Sequence, residues 1–310
     1  MRRPTVSPSA YRRLTALALA ALVFIVVTGG AVRLTDSGLG CPDWPTCAEE
    51  RVVAPWEYHA MVEFVNRTIT GLVSVAVILA VLGSVYRVPR RRDLVWLSVG
   101  LVAGVLGQIV LGGLTVLFHL KPQLVMAHFL LSMVLVANAV VLHHRAGRPP
   151  GPTRPVVDRE LNLLGRLVVA AAAVVLVLGT VVTGSGPHGG DPEVERLPFF
   201  LPDVARVHGI GVVLFLLVTL AAVFRVVRAR APADVLRRAE VLVAILVAQA
   251  AVGYVQYFTD VPALLVAVHI AGATAVWVAA LRFHLALSVP VAAEDPAEVG
   301  SAPEIVATRR

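Results

Sequence analysis

Charge is scarce in this chain. Of its 310 residues 15% are Asp, Glu, Lys or Arg, against roughly 25% in an average soluble domain, which excludes a water-soluble globule. Aromatic residues are also few, at 6%, and the apolar residues are not set out in the alternating segments of about 10 residues that build an outer-membrane barrel. Two cysteines are too few for a disulfide scaffold. What the chain has in abundance is apolar residues: 57% are hydrophobic and the mean hydropathy is +0.80. They gather into blocks of about 20, the length of a helix that crosses a hydrocarbon core of about 30 Å. Because unpaired backbone groups are excluded from lipid, those blocks read as helices.

Eight such blocks lie near residues 14 to 33, 61 to 84, 94 to 117, 124 to 142, 165 to 183, 204 to 224, 239 to 258 and 263 to 287. The first follows Arg12 and Arg13 as a signal peptide would, but it is about 20 residues long and has no small-residue cleavage signature. It reads as a retained anchor. The expected fold class is therefore an all-α polytopic membrane protein with eight transmembrane helices. Of the 27 Lys and Arg residues, 21 fall on the side of the two termini, four (Arg33, Arg51, Lys121 and Arg196) on the other, and Arg67 and Arg206 just inside helices. Basic residues in short loops stay cytoplasmic, so both termini are expected in the cytoplasm and the protein in the cytoplasmic membrane. The net charge of +7 then reports topology, and no nucleic-acid partner is expected.

The two halves repeat. "VVTGG" at Val26 to Gly30 returns as "VVTGS" at Val181 to Ser185, and "VNR" at Val65 to Arg67 as "VHG" at Val207 to Gly209. Gln108 to His128 and Gln249 to His269 are both 20 residues apart, and Gly112 to His128 and Gly253 to His269 both 16. This implies two four-helix bundles related by a pseudo-twofold axis along the membrane normal, since each unit has an even number of spans. The expected organisation is a first unit over 1–150, a second over 151–290 and a flexible cytoplasmic tail over 291–310.

Three of nine histidines lie inside spans that begin on the external side, at matching depth: His128, His208 and His269. An ionisable residue within a span is a functional-site hypothesis by default. Imidazoles facing each other across an apolar bundle suit the axial positions of a haem iron, so a bis-histidine haem between His208 and His269 is expected; zinc fits less well because no cysteine or carboxylate accompanies them. In the first unit the partner of His208 is Asn66, a poor iron ligand. Nearby, His59 and Glu63 stand four apart, on one helical face, and Asn66 and Arg67 continue it. Glu63 has two readings, an ion pair with Arg67 at the same spacing or a carboxylate placed for chemistry. Cys41 and Cys47, in an external loop with Pro42 and Pro45, favour a disulfide, as a staple or as a redox pair. His188 in "GSGPHGGD" reads as an exposed loop residue, and His119, His143, His144 and His284 need no special role.

Taken together, "TGGAVRLTDSGLGCPDWPTC" from Thr28, "EFVNRTITG" from Glu63, "GQIVLGGLTVL" from Gly107, "AHFLLS" from Ala127, "TGSGPHGGD" from Thr183 and the two late histidines resemble the haem A synthase family. The resemblance spans all eight helices. It implies haem b iron on His208 and His269, with haem O as substrate in the first unit and haem A as product, its C8 methyl oxidised to a formyl group for aa3-type oxidase. It assigns the essential helix-two carboxylate to Glu63 and the helix-four histidine to His128. The histidine that usually follows the carboxylate is Asn66 here, and His59 is the imidazole that could replace it as a metal ligand. Implied partners are haem O synthase, an unidentified electron acceptor, cytochrome oxidase assembly factors and the lipid bilayer. The competing expectation is a di-haem transmembrane electron-transfer cytochrome; a transporter ranks behind it, for want of broken helices or charges along a midplane path.

Overall fold

In the computed structural model residues 4–48 and 51–291 are described, and the expected flexible tail beyond 291 lies outside them. Eight long helices account for nearly all of the regular structure: α1 (Pro8–Leu34), α2 (Tyr58–Tyr86), α3 (Arg92–Leu117), α4 (Pro122–Ala146), α5 (Arg159–Ser185), α6 (Leu201–Arg228), α7 (Ala233–Phe258) and α8 (Ala263–Ala286). Each is long and apolar enough to cross a membrane, so this is a multi-pass membrane protein. The shortest has 24 residues and the longest 29, about 36 to 44 Å at 1.5 Å per residue, more than the hydrocarbon alone requires. The surplus is polar: α1 runs through Arg12 and Arg13, and α6 through Arg225 and Arg228, so the helices outrun the apolar blocks.

Local chemistry sets the ends. The Ser7 side chain accepts from Ala10 N–H at 3.2 Å at the start of α1, and Asp158 accepts from Leu161 N–H at 2.7 Å at the start of α5, each satisfying one of the orphan donors of a first turn. Proline stands in the first turn of α1, α4 and α6, where its missing N–H costs nothing.

Helices α1 to α4 pack in a ring, α1 on α2, α2 on α3, α3 on α4 and α4 on α1; α5 to α8 repeat the pattern. Between the rings α4 meets α8, α1 meets α8 and α5 meets α4. Exchanging the units maps the last two contacts onto each other and the first onto itself, as a twofold relation requires. Trp277 on α8 crosses this seam, its indole N–H donating to the Met133 carbonyl of α4 at 2.9 Å. Buried small and aliphatic residues fill the seam and both rings, while Phe24, Leu72, Trp96 and Phe224 stand exposed on the outside, where lipid is the matching solvent. One feature has no helical period to announce it: Thr153–Pro155 pairs antiparallel with Ser288–Pro290, closing the α4–α5 connection onto the chain after α8.

Candidate functional site

His208 and His269 project from α6 and α8, diagonal members of the second ring, at nearly equal depth: His208 is seven residues into its helix and His269 six into its own. Their ring centres are 6.5 Å apart and the planes are inclined at 67°. Two metal–imidazole bonds of about 2 Å each, plus the two ring half-widths, put axial ligands of one metal on the order of 6 Å apart centre to centre. The gap therefore has the size of a single coordinated ion. Glycines make room for both rings. A Cβ at Gly179 on α5 would sit 3.3 Å from His208 Cε1, and one at Gly253 on α7 only 3.0 Å from His269 Cε1. The buried Nδ1 atoms of His208 and His269 have no hydrogen-bond partner. No group of three or more His, Cys, Asp or Glu side chains among the described residues could hold a bare metal ion. A metal between these two imidazoles needs equatorial donors of its own, which a tetrapyrrole brings.

The first ring repeats half of this. His128 on α4 lies against Gly112 of α3, where a Cβ would be 3.3 Å from Cε1, and its Nδ1 is likewise buried without a partner. Gln108 Nε2 donates to the His128 carbonyl at 3.1 Å and Gln249 Nε2 to the His269 carbonyl at 2.8 Å, so the matched spacings correspond to matched contacts. Asn66, the counterpart of His208, is engaged elsewhere: its Oδ1 accepts from Thr28 Oγ1 of α1 at 2.9 Å.

The α1–α2 connection covers the mouth of this ring. Cys41 and Cys47 are disulfide-bonded and buried. Glu63 is 5% exposed, and both of its carboxylate oxygens are taken: Oε2 accepts from Cys41 N–H at 2.7 Å, and Oε1 from Arg67 Nη2 at 2.7 Å and Nε at 3.2 Å. Arg67 also donates to the carbonyls of Cys41, Asp43 and Thr46 at 2.9, 3.1 and 2.8 Å. The disulfide loop is thus folded around one guanidinium, a role that the i,i+4 spacing did not disclose. His59 is exposed in the first turn of α2; its Nδ1 is hydrogen-bonded to Ser37 Oγ at 2.9 Å and its ring stands edge-on to Tyr58. These contacts are with the loop and its own helix, not with His128 or Asn66.

Two further features escaped the sequence. His188 is half-buried rather than an exposed loop residue, and its Nε2–H donates to the Val261 carbonyl at 2.8 Å. Arg33 of α1 reaches across the seam to donate to the carbonyls of His188 at 2.6 Å and Thr183 at 3.0 Å. Its charge in the last turn of an otherwise apolar span was the available hint.

Fold and site together define a class, helical membrane proteins in which two four-helix rings each aim imidazole into the bundle near the same face. The model of the family described as Cytochrome oxidase assembly protein matches residues 12–187, more than half of the chain, and the chain belongs to that family. The match covers nearly all of the first ring and the whole of α5; His208 and His269 lie beyond it. Among similar proteins are those named Heme A synthase from Exiguobacterium sibiricum, 27% identical over 47% of this chain and 51% of its own length, from Geobacillus kaustophilus, 31% over 41% and 40%, and from Shewanella oneidensis, 28% over 56% and 56%. The chain thus spans about half the length of the curated relatives it matches.

Proposed function

We propose that this protein is a haem A synthase of the cytoplasmic membrane, with both termini in the cytoplasm, that oxidises the C8 methyl of haem O to a formyl group for aa3-type oxidase. The observation that carries the reading is the 6.5 Å separation of His208 and His269, because an axial pair at that distance suits haem b as resident cofactor. Bound there, haem b would supply one-electron exchange. The name shared by the relatives supports the reaction.

The asymmetry between the rings supports the division of labour. Two imidazoles would hold a tetrapyrrole's iron firmly and retain the group, whereas a single one would tether it less firmly and let the whole tetrapyrrole come and go. His128 with Asn66 tied to Thr28 is the second case, which suits a substrate that enters as haem O and leaves as haem A. Glu63 acts electrostatically: the Cys41 N–H and Arg67 hold its carboxylate in one place, where it stabilises positive charge developing on the oxidised methyl group. His59 braces the loop through Ser37 rather than binding iron, so His59→Ala should leave the haem spectrum unchanged. Haem O synthase supplies the substrate, assembly factors of the oxidase receive the product, and an electron acceptor outside the chain completes the oxidation.

Coexpression with a haem O source followed by solvent extraction of pigments tests the reading. Haem A is the expected product; haem B alone would overturn the synthase in favour of a di-haem electron carrier. Glu63→Ala should abolish haem A while the haem b spectrum persists.

A further inference from the structure

A single imidazole would fix where a substrate's iron sits but would leave the macrocycle free to tilt and slide. Oxidation of a peripheral methyl group requires the ring plane to be held, and in the first ring Asn66 supplies no second grip on it, because it is bound to Thr28. Something else must hold the ring plane.

The disulfide loop delivers a candidate. The indole of Trp44 lies on the bare backbone of Gly113 of α3, where a Cβ would come within 2.8 Å of Cδ2 and 2.9 Å of Cε2. Gly113 directly follows Gly112, the residue against which His128 packs, so indole and imidazole stand over neighbouring residues of one helix. The loop is locked on both sides of the indole, Arg67 holding the carbonyls of Asp43 and Thr46 and the disulfide closing the ring. An aromatic group fixed in advance loses little freedom when a ligand arrives. It is 38% exposed, so part of its surface is unoccupied by protein. Among the described residues the second ring has no such arrangement. There Gly253 is followed by Tyr254, which is exposed and stacked on Phe258, and the α5–α6 connection contains no tryptophan. The site with two imidazoles lacks the indole and the site with one imidazole has it.

We propose that Trp44 is the residue that orients the tetrapyrrole substrate in the first ring, by stacking on the macrocycle while His128 takes the iron. The proposal rests on the reading of that ring as the haem O site. Stacking depends on a flat π face, so Phe substitutes for Trp in part and Leu does not.

Full-length protein carrying Trp44→Phe, Trp44→Leu or Gly113→Ala tests this, with the haem b band as the control for folding. Trp44→Leu is expected to raise KM for haem O about tenfold with a smaller change in kcat, to weaken haem O binding about as much in a Soret difference titration, and to be partly rescued by Trp44→Phe. Gly113→Ala, which pushes the indole aside without altering it, should reproduce the Leu variant. Unchanged haem O binding in Trp44→Leu would overturn the proposal and leave Trp44 an interfacial anchor. If Trp44→Leu loses the haem b band, Gly113→Ala decides by the same titration. Should wild-type protein bind haem O, lose that binding in the Leu variant, and yet form no haem A, the synthase reading falls while the stacking role stands.

Discussion

Glu63 and Arg67 show how a pair visible in the sequence can do more than its spacing says. Four residues apart on α2, they form an ion pair at 2.7 Å, and on a wet surface such a pair contributes only about 0.3 to 0.5 kcal/mol. Here the carboxylate is buried and each partner has a second duty, Glu63 to the Cys41 N–H and Arg67 to three loop carbonyls. Removing one member of a buried pair leaves an uncompensated charge and typically costs about 3 to 5 kcal/mol. Arg67→Ala strands the Glu63 carboxylate and releases three carbonyls together, so it should destabilise more than Glu63→Gln, which keeps a hydrogen-bonding group of the same size. Thermal unfolding in detergent, followed at the haem b band, ranks the two; equal melting temperatures would show that the carbonyl cradle contributes nothing. The pairing was legible because it depends on helical period alone. The cradle was not, because it depends on the path of a loop between Cys41 and Cys47 that no periodicity constrains, and Trp44 on Gly113 was hidden for the same reason.

Between elements, the legible part is again the periodic one. The twin 20-residue spacings of Gln and His reappear as twin hydrogen bonds from α3 to α4 and from α7 to α8, since side chains on packed neighbouring helices meet at repeat-related positions. The α1–α2, α3–α4, α5–α6 and α7–α8 connections follow no such rule, yet they converge on Pro187 to Gly190. His188 binds the α7–α8 turn through the Val261 carbonyl, Arg33 of α1 binds the His188 carbonyl, Gly38 N–H donates to the Gly190 carbonyl at 2.8 Å, and Leu120 of the α3–α4 turn packs on Gly38 and Gly190. Gly190 has φ +100°, a conformation that costs a residue with a Cβ far more than glycine. Hydrogen bonds to a charged donor contribute about 1.5 to 3 kcal/mol each, so Arg33→Gln should loosen this node rather than unfold the chain. Hydrogen exchange is expected to rise in 186–192 and in 37–41 together, with the transmembrane helices unaffected; a rise confined to one loop would mean that the node does not couple the units.

At the scale of the molecule, the eight spans could be read from composition because lipid demands long apolar helices, whereas the Thr153–Pro155 and Ser288–Pro290 ribbon is too short to carry a period. What the repeat hides is where the units diverge. Duplication alone would give two equivalent sites, but exchange of a histidine for Asn66, bound to Thr28 at 2.9 Å, leaves one ring with two imidazoles and the other with one. Iron in the second ring should then be six-coordinate, low-spin and firmly retained, and iron in the first ring exchangeable. Protein expressed without a haem O source is therefore expected to purify with about one haem b per chain, and coexpression with haem O to add a second pigment. The two losses should separate: His269→Ala removes the haem b signature, and His128→Ala removes only the added pigment. Pigment stoichiometry from extracted haems, read beside the low-spin electron paramagnetic resonance signal, measures both. If His128→Ala instead abolished the low-spin haem b signal, the resident cofactor would belong to the first ring and the assignment of the two sites would have to be reversed.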